Sequence, residues 1–144
     1  MTESPTPRPA PQVAQVPQLV SEFYDFMLWC MDRTQRFPRN YRGTLSRWLE
    51  DQLWGILDLL IEAAYTRHKL PLLEHSNLRL QKLRFLVRLC KDRQCLSLSQ
   101  YEYASRLINS LGMALGGWIK QQRTAHSAPH TPPPAIKDPL EREA

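Results

Sequence analysis

The sequence predicts an all-α protein, an antiparallel up-down four-helix bundle, on three observations. Apolar residues recur at three- and four-residue intervals in four segments. No alternating run long enough for a strand interrupts them, and the breaks between segments are short, as antiparallel neighbours require. The prolines then mark where the bundle begins and ends. Pro5, Pro7, Pro9, Pro11 and Pro17 crowd the start and Pro129, Pro132, Pro133, Pro134 and Pro139 the end, leaving only Pro38 and Pro71 between. Residues 1–17 and 124–144 are therefore expected to be disordered Pro-rich ends. Residues 18–123 are left for the core, enough for a small domain but few for an enzyme with a deep cleft.

The first helix is expected over about Gln18 to Arg36. Leu19, Phe23, Phe26, Met27 and Cys30 share one face, with Val20, Tyr24, Leu28 and Met31 on the adjoining one. Together they span about 200° of the helical wheel, where a bundle helix needs a stripe of only ~100° or somewhat more. Apolar surface is left over. Proline lacks a donor and restricts the residue before it, so Phe37-Pro38 ends this helix and the next begins near Thr44. Around that break stand Arg33, Arg36, Arg39, Arg42 and Arg47 without an acidic residue among them. Arginine at all five positions suits bidentate contact with phosphate or carboxylate.

The second helix, about Thr44 to His68, directs Leu45, Trp48, Leu49, Leu53, Ile56, Leu57, Leu60 and Ala63 inward and carries Asp51, Asp58 and Glu62 opposite. The third, about Leu72 to Arg93, is apolar on two sides. Leu80, Leu83, Leu86, Val87 and Cys90 form one stripe, and Leu78, Phe85 and Leu89 another. Arg79, Lys82 and Arg93 project on one side between the stripes, and Arg84, Arg88 and Lys91 on the other.

The fourth helix, about Ser99 to Gln122, opens with Ser99 and Glu102 at capping-box spacing. Its seam is Tyr101, Ala104, Leu107, Ile108, Leu111, Leu115, Trp118 and Ile119. Gly112, Gly116 and Gly117 within it cost ~2 to 3 kcal/mol relative to alanine, so something is expected to approach that backbone closely. Tight packing inside the bundle, a subunit contact or a passing nucleic acid would each do so. With the surplus apolar surface of the first and third helices, the glycines predict a homo-oligomer.

Residues 18–123 hold 16 Lys and Arg against 10 Asp and Glu, so an acidic partner is expected for the folded part. Neither a secretory signal nor an apolar stretch of membrane-spanning length is present, and Cys30, Cys90 and Cys95 lack Cys-x-x-Cys spacing. A cytoplasmic protein with reduced thiols and no membrane partner is expected. Catalysis finds no support. His68, His75, His126 and His130 form neither a His-Glu-x-x-His set nor a Cys/His ligand set. Asp51, Asp58 and Glu62 lack a supporting histidine or carboxylate, and no Gly-rich phosphate loop follows a strand. No enzyme, cofactor or metal is predicted.

Nucleic-acid binding fits better. Six cations lie between Arg79 and Arg93 with only Asp92 opposing them, as tracking a phosphate backbone requires. Phe37 and Tyr41 interleave with the corner arginines, as a stacking platform for unpaired bases would. Against this stands the ordinary fate of helix-surface cations, to be solvated or paired with the acids of the second helix.

Four runs in the same order across the core carry a resemblance. They are Tyr24-Asp25-Phe26-x-Leu28-Trp29; Arg33-Thr34-x-x-Phe37-Pro38-Arg39 with Thr44-Leu45; Asn77-Leu78-Arg79-Leu80 with Leu83-Arg84; and Tyr101-Glu102 with Leu115-Gly116-Gly117-Trp118-Ile119-Lys120. The chain resembles the accessory variability determinant of diversity-generating retroelements. It also resembles the wider superfamily of four-helix-bundle proteins encoded in ribosomal RNA intervening sequences, which shares the Phe-Pro corner.

That resemblance implies a barrel-like homopentamer with a basic surface, which binds nucleic acid and the retroelement reverse transcriptase. The complex copies template RNA into adenine-mutagenised cDNA. If the chain acts as that family does, Arg79, Arg84, Arg88 and Lys91 are the expected RNA contacts and Arg33, Arg36, Arg39 and Arg42 the expected contacts with RNA or polymerase, the family pattern not settling which arginines do which. No role for the Pro-rich ends follows from it. A freestanding or ribosome-associated RNA-binding bundle and a purely structural oligomer are the competing expectations. A neighbouring reverse transcriptase gene separates the first, and salt-dependent RNA affinity the second.

Overall fold

Each helix forms where the apolar spacing places it, and the breaks between helices are short. The computed structural model describes residues 17–127. Among them are α1 Gln18–Thr34, α2 Leu45–Tyr65, α3 Leu70–Asp92 and α4 Leu98–Ser127, with a turn of 3-10 helix at Arg39–Tyr41, and no strand. Helices consecutive in the chain pack side by side, and α4 closes back onto α1. The late part of each helix meets the early part of its neighbour. Thr34 bonds Glu50, Arg123 pairs with Glu74, and Trp29 lies against Tyr103. All neighbours are thus antiparallel, and the architecture is the four-helix bundle expected.

The core takes the predicted faces. Phe23, Phe26 and Cys30 of α1, Leu49, Leu53, Ile56 and Leu60 of α2, Leu80, Leu83 and Val87 of α3, and Ala104, Ile108 and Leu115 of α4 are buried together. Two expectations about this core need correction. Trp48 is about half exposed, on the rim between α2 and α3. Gly116 and Gly117 meet nothing: a β-carbon there would stand in open space, so packing inside the bundle does not explain them. Of the three glycines of α4 only Gly112 has the close neighbour expected, the Arg84 side chain, and Gly55 of α2 has another, since a β-carbon there would overlap the Arg79 guanidinium.

The helix ends also differ from their sequence assignments. α3 starts at Leu70 and takes Pro71 into its first turn, where the missing N–H has no intrahelical role. α4 is capped by Ser97 and Gln100, not Ser99 and Glu102. Gln100 N–H donates to Ser97 Oγ at 3.1 Å and Ser97 N–H to Gln100 Oε1 at 3.0 Å. α4 runs through Thr124 to Ser127, past the boundary expected at Arg123. The disorder expected of residues 1–16 and 128–144 lies outside the described residues.

α3 stops at a left-handed residue, Gln94, with φ 64°. The N–H groups of Cys95 and Leu96 both donate to Cys90 O, closing the last turn. A side chain in this conformation costs about 1 kcal/mol that glycine avoids. Gln94→Gly is therefore expected to raise the unfolding free energy by about 1 kcal/mol, read as a higher urea midpoint at unchanged slope. An unchanged midpoint would mean that Gln94 gains as much from its surroundings as it loses in the backbone.

Candidate nucleic-acid interface

The corner between α1 and α2 is built around a buried aromatic plug. Phe37 is 1% exposed and belongs to the core. Around it, Ser46 Oγ donates to Thr34 O at 3.1 Å and Thr34 Oγ1 to Glu50 Oε1 at 2.6 Å, while Arg42 Nε donates to Phe37 O. Tyr41 is half-buried and engaged as well. Arg93 from the end of α3 donates to its hydroxyl at 2.8 Å and lies over its ring. The expected stacking platform of Phe37 and Tyr41 is therefore absent. One ring is in the core and the other is covered by a guanidinium.

The corner arginines divide. Arg36, Arg39, Arg42 and Arg47 are exposed, whereas Arg33 is half-buried and stacks over Trp29 on the α4 side. Among the described residues none of the five makes an ion pair; those pairs involve only Arg88 and Lys91 with Asp92, and Arg123 with Glu74. Asp51, Asp58 and Glu62 of α2 are exposed and equally unpaired among the described residues. The surface cations are thus not neutralised by the acidic face of their own bundle.

The four cations of α3 singled out by sequence occupy both seams of that helix. Arg79 lies against α2 in the notch at Gly55. On the α4 side, Arg84 donates to Asn109 Oδ1 and passes over Gly112, where a β-carbon would come within 2.9 Å of its Nη2. Lys91 sits 4.7 Å from the Tyr101 ring centroid. Arg88 projects freely, with a side chain 63% exposed and only a long contact of 3.9 Å to Asp92. Arg84, Arg88 and Lys91 therefore form one cationic row beside α4, and Arg79 stands apart from it.

Outside these rows two features bear on contact with partners. Trp48, Lys82, Phe85 and Leu89 line an open groove between α2 and α3, and Phe85 is 72% exposed. Tyr24 and Leu28 of α1 and Trp54 and Ile61 of α2 are large apolar residues also left in solvent. Sequence reasoning anticipated the α3 stripe. It missed Trp29, Tyr103 and Arg106, which meet Arg33 in a cleft between α1 and α4; the only sequence signal was three-residue spacing of Tyr103 and Arg106, which any helix surface offers.

The thiols share one trend. Burial pushes the Cys90 thiol up to about 12, with the nearby Cys95 adding to the rise, and burial, aided by Cys90, drives that of Cys30 higher still. Burial also raises Cys95, partly offset by Arg93. All three are held in the protonated form at neutral pH. Among the described residues no group of His, Cys, Asp and Glu is placed to hold a metal ion, and no helix is long and apolar enough to cross a membrane.

A family model described as bAvd-like matches residues 18–122, the whole bundle up to the last turns of α4. No curated protein matches the chain.

Proposed function

The chain belongs to the bAvd-like family, the accessory variability determinants of diversity-generating retroelements, and on that premise we propose that it is a non-catalytic partner of a retroelement reverse transcriptase. It binds the polymerase and the template RNA through its basic surfaces and supports mutagenic cDNA synthesis. The observation that carries this reading is the row of Arg84, Arg88 and Lys91 beside α4. Three cations on one side of α3, opposed by a single exposed carboxylate, supply the positive charge that a phosphate backbone attracts. The exposed corner arginines, Arg36, Arg39 and Arg42, extend the basic surface to a second edge for RNA or polymerase, and Arg79 enters where RNA draws it from its notch.

Self-association completes the picture. Phe85, Leu78 and Leu89 on α3, with Trp48 and Trp54 on α2, leave more apolar surface in water than an isolated bundle of this size tolerates well. We place them in the contacts of a barrel-like homopentamer, in which each cationic row is repeated around the ring. Such an assembly works in the cytoplasm, where the polymerase and its RNA are made. In this reading the polymerase supplies the chemistry and the bundle supplies binding.

Reconstitution tests the reading. The purified chain, mixed with the reverse transcriptase encoded beside it and structured template RNA, is expected to co-migrate with both and to raise the yield of template-specific cDNA. Independent migration of the chain at low and moderate salt, with cDNA yield unchanged, would sink the proposal. If RNA binds but no polymerase does, the freestanding RNA-binding bundle takes its place.

A further inference from the structure

Arg33 is the one corner arginine whose position the α3 row and the helix turn leave unexplained. It sits in the last turn of α1, half-buried, with its Nε shielded from solvent and without a hydrogen-bond partner. The cleft beside it holds about 270 Å³ and is open to solvent; Trp29, Arg33, Ser99, Gln100, Tyr103 and Arg106 line it.

The cleft has two chemical halves. One is aromatic: the Tyr103 ring lies 4.9 Å from that of Trp29 at 48°, and Trp29 stacks at 6.3 Å and 17° on Phe26 of the core. The floor is therefore rigid, while Tyr103 itself keeps 41% of its surface in solvent. The other half is cationic. The Arg33 guanidinium is held 5.8 Å from the Trp29 centroid, Arg106 faces the same space from α4, and neither is in an ion pair among the described residues. Ser99, Gln100, Trp29 and Tyr103 are neutral, so the charge of the lining is that of two guanidiniums.

Two guanidiniums beside an open aromatic face suit a ligand that carries both an anion and a flat ring, as a nucleotide does. We infer that this cleft takes one unpaired nucleotide of an RNA strand, its phosphate between Arg33 and Arg106 and its base on Tyr103. The inference rests on the chain being an RNA-binding protein and adds a site to the α3 row. The direction of the strand follows from charge. The same α1–α4 groove continues past Tyr103 to Glu22 and Asp25, which repel phosphate, so the strand leaves the cleft towards Arg36. A duplex cannot use the site, because its bases are stacked and closed to a side-chain ring.

The test compares a short labelled single-stranded RNA with the matching duplex, binding to the full chain read by fluorescence anisotropy over a salt series. Tyr103→Ala and Arg106→Gln are each expected to weaken single-strand binding about tenfold while moving duplex binding less than about twofold. Arg106→Gln lowers the salt slope for the single strand by roughly 0.7, Tyr103→Ala leaves it unchanged, and Tyr103→Phe binds as the parent does. Arg106 is exposed, so its variant carries the test should Tyr103→Ala lose stability. If both variants bind the single strand like the parent while Arg88→Glu weakens it, the cleft is excluded and RNA binding stands. If the parent binds neither RNA, both fall. If the variants keep RNA but no longer co-migrate with the polymerase, the cleft is a protein contact and the nucleotide assignment is overturned.

Discussion

Reversing two charges on α3, Arg84→Glu with Arg88→Glu, is expected to lower affinity for structured template RNA by roughly 100-fold at moderate salt. The slope of log affinity against log salt should flatten by about one to two, because two phosphate neutralisations are lost and their counterions are no longer released. Arg88 stands clear of the bundle, so its reversal acts on the ligand apart from a like-charge i,i+4 contact with exposed Asp92, worth about 0.2–0.5 kcal/mol. Arg84 is different: it is strapped to Asn109 and lies over Gly112, and its loss also removes an α3–α4 contact. Asn109→Ala separates the two effects. It releases the strap and keeps the charge, so RNA affinity should stay within about twofold of the parent while the thermal midpoint falls slightly. Sedimentation should be unchanged throughout, since neither arginine lies among the exposed apolar residues. Undiminished affinity in the double reversal would remove the α3 row from the RNA path.

The fold was legible because burial of apolar stripes is a property of spacing, and spacing is written in the chain. Phe23, Phe26 and Cys30, or Leu80, Leu83 and Val87, can share a face in only one way once a helix forms. Helix ends were less legible, because they turn on which of several polar residues folds back. Ser97 with Gln100 and Ser99 with Glu102 both have capping spacing, and only the path of the preceding loop selects the first pair. The site was legible in charge but not in direction. A guanidinium on a long stem reaches either seam of its helix, so Arg79 and Arg84 could not be assigned to α2 and α4 without the neighbouring Gly55 and Gly112. Likewise nothing in the run from Arg33 to Arg47 separates Arg33, turned to Trp29 and Tyr103, from the four that remain in solvent. Tyr41 failed as a stacking residue for the same reason, since its partner Arg93 lies 52 positions away.

Phe37→Ala should cost about 3–5 kcal/mol of stability, the range for removing a fully buried aromatic ring. The loss falls at a place with no slack. Phe37 is 1% exposed at the end of α1, and the hydrogen bonds of Thr34, Ser46 and Arg42 are arranged around its backbone and the turn before it. A cavity there loosens the α1 end and the α2 start together, so a large share of the 5–15 kcal/mol typical of a small domain is lost at one position. Phe37→Leu keeps most of the volume and should cost less than half as much. Arg39, two residues on and exposed, should tolerate Arg39→Gln within about 0.5 kcal/mol. Urea unfolding of the three variants reads these differences directly. The Phe37-Pro38-Arg39 signature would then divide in two. Phe37 and Pro38 set the turn, and Arg39 is free to meet RNA or polymerase, so Arg39→Gln should lower binding without lowering the unfolding midpoint. Loss of stability at Arg39, or a small loss at Phe37, would instead make the arginine part of the turn and leave the basic corner without a function of its own.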